Sequence, residues 1–293
     1  MNQRAPLPDP IDGGPFTVAQ AMAAGVSRSR LRAGDLASPF HGVRSPQRPA
    51  SLIGRAYAYA PKLLHGRFFS HTTAAVLLKM RMPTGFDEDV LHVSSVAPRR
   101  APRGAGIVGH QVSIAPALVS NSRLTVASPV DTWVALGASL PLVDLVVMGD
   151  GLVRRRDPSA SLQELRARID AHGGERGSAA LREAIEQMRA GTDSAPETRL
   201  RLMLTSAGLS EPEVNGVVAT SRGPFHADLL FRSEGVVVEY DGEQHRTDDR
   251  QYAIDVDRLE AIGARWRIVR VDKRLLRRPD EVVSRVRSAL AGS

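Results

Sequence analysis

The spacing of apolar positions divides the chain into stretches of different character. In 16–36 (FTVAQAMAAGVSRSRLRAGDL), Thr17 is placed to cap a short helix running through Val18, Ala21 and Met22. Gly25 ends that helix in a left-handed turn. Ser27 is placed to cap a second helix, from Arg28 to about Ala33, and the run FHGVRSP (40–46) reads as the strand of a small wing. Further on, the pattern predicts helices over 51–60, 70–78, 129–138 and 141–152, and strands over 90–96 and 105–112. PRRAPRG (98–104) reads as a basic loop. Leu162, Leu165 and Ile169, then Leu181, Ile185 and Met188, fall at helical spacing on either side of Gly173-Gly174.

From GTDSAP (191–196) onward the pattern sharpens. Ser194 caps a helix over 196–207, and Gly208 ends it. Strands are predicted at 214–220, 225–231 and 235–241, the last two joined by the polar turn RSEG. A helix over about 249–262 follows, then a strand at 266–271 and a closing helix after Pro279. The divisions expected from this pattern are a tail over 1–15, a helix-turn-helix segment over 16–50, a mixed middle domain over 51–158, a helical connector over 159–194, and a last domain over 195–293. The fold class is α+β and multidomain.

Charge changes this picture only in the first third. Residues 1–110 hold 14 Lys+Arg against 6 Asp+Glu, residues 111–194 hold 9 against 10, and residues 195–293 hold 16 against 16. The basic excess of the first third favours nucleic acid as a partner, through its phosphates. The absence of cysteine excludes disulfides, thiolate metal sites and cysteine nucleophiles. The N-terminus has no apolar core of the signal-peptide kind, and the most apolar stretch, 133–148, is short and interrupted by Pro141 and Asp144. The expectation is a cytoplasmic protein without membrane segments. His65, His71, His92 and His110 stand at spacings that define no metal site.

The candidate chemistry lies in the last domain. Asp228 sits in an otherwise apolar strand beside Leu229, Leu230 and Phe231, and Glu239 ends the run Val236-Val237-Val238. A carboxylate in a buried strand is costly unless its charge is compensated. Two of them on adjoining hairpin strands would repel each other, and a divalent cation between them would relieve both costs. Oxygen-only ligation selects a hard ion, Mg²⁺ or Mn²⁺. Glu239 and Asp241 are two residues apart and share a strand face, Gly242 allows a sharp turn, and His245 follows in EYDGEQH. Such a set suits activation of a water for phosphodiester hydrolysis.

The order helix–three strands–helix–strand, with Asp on the second strand and Glu on the third, resembles the PD-(D/E)XK nuclease superfamily. HADLLF, EYDGEQH, Asp255 with Arg258, and GARWRIVRV resemble the branch related to very-short-patch repair endonucleases. The resemblance covers about 195–291 and implies a restriction-endonuclease-like α/β domain with a central mixed sheet. It implies Asp228, Glu239 and the backbone carbonyl of Tyr240 as Mg²⁺ (or Mn²⁺) ligands. Asp241 would stand where the superfamily holds lysine, His245 would be a base or phosphate-orienting group, Glu197 would complete the site through water, and Gln244 would assist. Asp255 and Arg258 also read as an i,i+3 ion pair, and His226 as a neighbour of Asp228.

In the first part, residues 16–46, SHTTAA (70–75) and LTVASPVDTWVALGASLPLVDLVVMGDGLV (124–153) resemble the AbiEi family of antitoxins, in which a winged helix-turn-helix precedes a mixed domain. This implies DNA contact by Arg28, Arg30 and Arg32, mostly to phosphate. The two resemblances together imply a DNA-binding endonuclease. The alternative is an antitoxin-like transcriptional regulator whose nuclease-fold domain is inactive, since no lysine stands two residues after Glu239.

Overall fold

The computed structural model describes residues 6–292 other than 10, 12, 84, 123, 221–222 and 243–265. The chain forms two compact units: residues up to Leu140 together with Arg168–Ser178, and Pro141–Ala167 together with the residues from Ala179 onward. Both mix helices with sheet, and the three sheets are antiparallel or mixed. Among the described residues no helix is long and apolar enough to cross a membrane.

The first unit opens with β1 (Phe16–Thr17) and α1 (Val18–Ala23). Thr17 caps α1 in a reciprocal capping box with Gln20. Strand β2 (Val43–Arg44) pairs antiparallel with β1. Between them, the helix expected from Arg28 to Ala33 is only a single 3-10 turn at Arg30–Arg32. The Ser27 and Ser29 hydroxyls bond each other, Ser27 also accepts from the Arg30 amide, and Ala33 is already extended. The Ser27 bond is of the capping kind, and the turn ends where Ala33 is extended just before Gly34, a poor helix former.

After α2 (Leu52–Tyr59) comes a five-stranded sheet. It is built from β3 (Arg67–Phe69), β4 (Leu91–Val96), β5 (Ile107–Val112), β6 (Leu118–Asn121) and β7 (Leu124–Ala127), in the order β5-β4-β3-β7-β6. Helices α3 (His71–Leu77) and α4 (Pro129–Leu136) accompany it. Phe40, Tyr59, Phe69, Leu91, Val93, Leu124 and Val126 form its core. Strands β3, β6 and β7 were not among the expected elements.

The second unit contains α5 (Leu142–Leu152), α7 (Ser178–Gln187, all but its first residue) and α8 (Ala195–Ser206); α6 (Leu162–His172) precedes α7. Its sheet has the order β11-β10-β9-β8, with β8 (Glu213–Thr220), β9 (Gly223–Phe231), β10 (Val236–Asp241) and β11 (Arg267–Asp272). Only the β10–β11 pairing is parallel. Helix α9 (Pro279–Ala291) closes the chain. Leu200 and Leu204 of α8 pack with Leu229, Phe231, Val236, Val238 and Val271, and with Val282 and Val286 of α9. A second cluster holds Val218, Phe225, Ala227, Leu230 and Val237.

A buried polar network fixes α8 against α5. Asp150, fully buried on α5, accepts from Thr198 Oγ1 at 3.0 Å, from Arg201 Nη2 at 3.0 Å and from the Arg189 amide at 2.8 Å. Arg201 also donates to Glu211 at 3.0 Å and to the Gln187 carbonyl at 2.8 Å. Such a network tolerates little displacement, because any member left unpaired is costly. It therefore positions the first turn of α8, which carries Glu197.

Candidate functional site

Strands β9 and β10 run in register through Val236↔Phe231, Val237↔Leu230 and Val238↔Leu229. The next pair in that register would be Glu239 and Asp228, and there the ladder stops. β10 continues to Asp241 paired only with β11, and β9 continues back to Gly223 paired with β8. The backbone amides exposed by the parting of the strands are taken up by the two side chains. Glu239 Oε1 accepts from the Asp228 amide at 3.0 Å, and Asp228 Oδ2 accepts from the Tyr240 amide at 2.7 Å. The two carboxylates thus occupy places where a continuous sheet would have carbonyl oxygens.

The distortion is shared by β8. Val214↔Leu229 and Gly216↔Ala227 bracket the position where Asn215 meets Asp228, and Asn215 is left-handed with φ +50°. Side-chain alternation switches there. Phe225 and Ala227 lie in one cluster with Leu230, whereas Leu229 and Phe231 lie in the other. Asp228 is therefore at the one position of β9 where the normal two-residue period breaks. His226 is half-buried, its Nδ1 3.4 Å from the Asn215 carbonyl oxygen.

Ser194 caps α8 by accepting from the Glu197 amide at 3.3 Å, and Glu197 Oε2 accepts from the Asp193 amide at 2.8 Å. Glu197 is 6% exposed and sits in the first helical turn, where the helix dipole favours a negative charge. Arg155 donates from Nε to Asp193 at 3.1 Å, and its Nη2 bonds the same oxygen. These groups act on Asp228. Burial and then the Glu197 charge raise its carboxyl to about 7, with Asp193 adding to the rise and the Tyr240 amide and Arg155 opposing it. Burial and the neighbouring acids thus favour the protonated form of Asp228 up to about neutral pH.

Asp228, Glu239 and Glu197 thus lie in one neighbourhood, on β9, β10 and α8. Asp241 is engaged elsewhere, in an ion pair with Arg270 Nη2 at 2.8 Å. That pair borders an open cleft lined by charged residues of β11, of α9 and of the segment between them, among them Arg274, Arg278 and Arg285. The Tyr240 side chain packs on the α8–α9 core. His245, Gln244, Asp255, Arg258 and the helix expected over 249–262 lie outside the described residues. Sequence reasoning missed Asp193 and Arg155. Asp193 lies in the linker GTDSAP and Arg155 in the run Arg154-Arg155-Arg156, neither of which carries a periodic signal.

In the first unit, Arg28 and Arg32 are exposed. Arg30 is engaged in an ion pair. It grips Asp35 through Nη1–Oδ1 at 3.0 Å and Nη2–Oδ2 at 2.9 Å, and its side chain is only 13% exposed. The histidines also depart from the expectation of scattered residues. His71, His92 and His110 come together, and one ring nitrogen from each lies within 4.8 Å of the others. No protein-family model and no curated protein matches this chain.

Proposed function

We propose that the chain is a metal-dependent endonuclease that hydrolyses DNA phosphodiester bonds, with residues 16–50 contributing to DNA binding. The observation that carries this reading is the reciprocal clasp of Asp228 and Glu239 at the point where β9 and β10 part, with Glu197 beside it. The donor set fits a hard divalent cation such as Mg²⁺ or Mn²⁺: among the described residues it offers carboxylate oxygens, and burial and the neighbouring acids raise the Asp228 carboxyl, a cost such a cation would relieve. When bound, such an ion supplies charge neutralisation at the scissile phosphate and a more acidic water.

The protein's own groups then have separable tasks. Asp228 and Glu239 hold the ion and keep their mutual distance through the two backbone amides. Glu197, fixed by its bond to the Asp193 amide, orients water and accepts its proton. Among the described residues Arg155, held by Asp193, is a nearby cation and takes the role for which no lysine follows Glu239. Arg28 and Arg32 contact phosphates.

The test is plasmid cleavage with Mg²⁺ or Mn²⁺ by the full chain and by Asp228→Ala and Glu239→Ala, each checked for folding by circular dichroism. Both variants should lose cleavage while keeping DNA affinity. If both cut like the parent at equal metal, the assignment is wrong.

A further inference from the structure

His71, His92 and His110 come from three elements of the first unit, and the fold brings them together by register. His110 on β5 is paired with Ser94 on β4, and His92 stands two residues before Ser94, so all three positions share one face of the parallel pair. His92 Nδ1 is 2.9 Å from His110 Nε2. The His71 ring stacks on His110 with centroids 3.7 Å apart and on His92 at 5.5 Å.

The surroundings of His71 are unusual for a packing residue. It opens α3 with φ +49°, a left-handed backbone that a side chain of its size adopts only at a cost. The residue before it, Ser70, stands at the N-cap but makes no capping bond. Its hydroxyl lies instead 3.0 Å from His71 Nδ1 and 2.6 Å from Ser94 Oγ. With Nδ1–H donated to Ser70, which donates onward to Ser94, the lone pair of His71 is on Nε2. Thr73, fully buried in the first turn of α3, accepts from the His92 amide at 2.8 Å and ties helix to strand at the same place. His71 also lines a small cleft with Ser70, Ser94, Asp131 and Arg168.

We propose that His71, His92 and His110 form a binding site for a borderline divalent cation, zinc in the first instance, with water in the fourth position. Three imidazoles with water in the fourth place are a known zinc set, whereas Mg²⁺ prefers oxygen. Tetrahedral bonds of about 2.0–2.1 Å place nitrogens about 3.4 Å apart. The trio's nitrogens lie within 4.8 Å of one another, so the stacked rings have to turn and close by about an ångström to reach that arrangement. The ion replaces the His92–His110 hydrogen bond, and the proton shared there passes to its ring's other nitrogen, so the ligands stay neutral. Burial, then the neighbouring imidazoles, already holds His71 down at about 3 and His110 at about 4, so their lone pairs are available at neutral pH. Burial also lowers His92, against Asp87.

The experiment is calorimetric titration of Zn²⁺ into the chelator-stripped full chain in excess Mg²⁺. One equivalent should bind. His92→Ala and His110→Ala should each weaken it by at least about 100-fold, and Ser70→Ala by about 10-fold, as expected for a residue that orients a ligand. An Asp228→Asn/Glu239→Gln double variant should bind zinc as the parent does. X-ray absorption at the zinc edge of the unmodified protein should count three imidazole ligands, which keeps the test decisive if a histidine variant fails to fold. No stoichiometric zinc in the parent, oxygen-dominated ligation, or loss of the zinc equivalent with the acidic double variant would overturn the proposal.

Discussion

Asp228→Asn separates the cost of the charge at the parted strands from its shape. The amide keeps an oxygen to accept from the Tyr240 amide, now 2.7 Å from Asp228 Oδ2, but cannot ionise. Burial and Glu197 raise the Asp228 carboxyl from 3.8 to about 7. That is a displacement of about three pK units at about 1.4 kcal/mol each, so ionising it in the metal-free fold costs up to about 4 kcal/mol. Asp228 is half-buried and shares its titration with its acidic neighbours, which reduces the expected net gain of the variant to about 1–3 kcal/mol. Because the folded value lies above the unfolded one, the native state carries the extra proton between about pH 4 and pH 7, and this group's contribution to stability falls as pH rises through that window. Urea denaturation in chelator should therefore find parent and variant alike below about pH 4, diverging from there, with the variant more stable near pH 8. Saturating Mg²⁺ should reverse the order at about pH 8, stabilising the parent and not the variant. A variant less stable than the parent at the higher pH in chelator, or a difference independent of pH, would refute the reasoning.

Other consequences follow from the same geometry. Arg201→Met leaves Asp150 buried without its guanidinium and should cost about 3–5 kcal/mol in urea denaturation; a loss below about 1 kcal/mol would show that the Asp150 network does not hold α8 in place. Arg28→Ala and Arg32→Ala should each weaken DNA binding with little dependence on sequence and lower the slope of log affinity against log salt by about one. Arg30→Ala should change that slope far less, because its guanidinium is already spent on Asp35; a slope change as large as for Arg28 would contradict this.

Among the described residues, the strands and helices of the C-terminal half were legible because they bury one face each, and burial imposes a period. The caps Thr17 and Ser194 were legible for a local reason, since each satisfies amides three residues on. Asp228 stood out by violating its strand's apolar pattern, and the structure shows that the same residue is where the strand's alternation breaks. What escaped was short or non-local. β3 is three residues long, and β6 and β7 are four each, so none extends over enough positions to establish a period. The helix expected at Arg28–Ala33 stops after a single 3-10 turn, where the chain turns extended at Ala33 before Gly34. Arg155 and Asp193 meet through tertiary packing across 38 residues of chain. The three histidines are 21 and 18 residues apart, and only the parallel register of β4 and β5 brings the latter two together.

The central claim is that Asp228 and Glu239 hold one hard cation between them. Anomalous diffraction from crystals of the full chain grown with Mn²⁺ tests it directly. The account predicts a single peak within about 2.0–2.5 Å of a carboxylate oxygen from each. A manganese ion bound by neither residue, or none at saturating metal with both carboxylates still on the backbone amides of the parted strands, would contradict it.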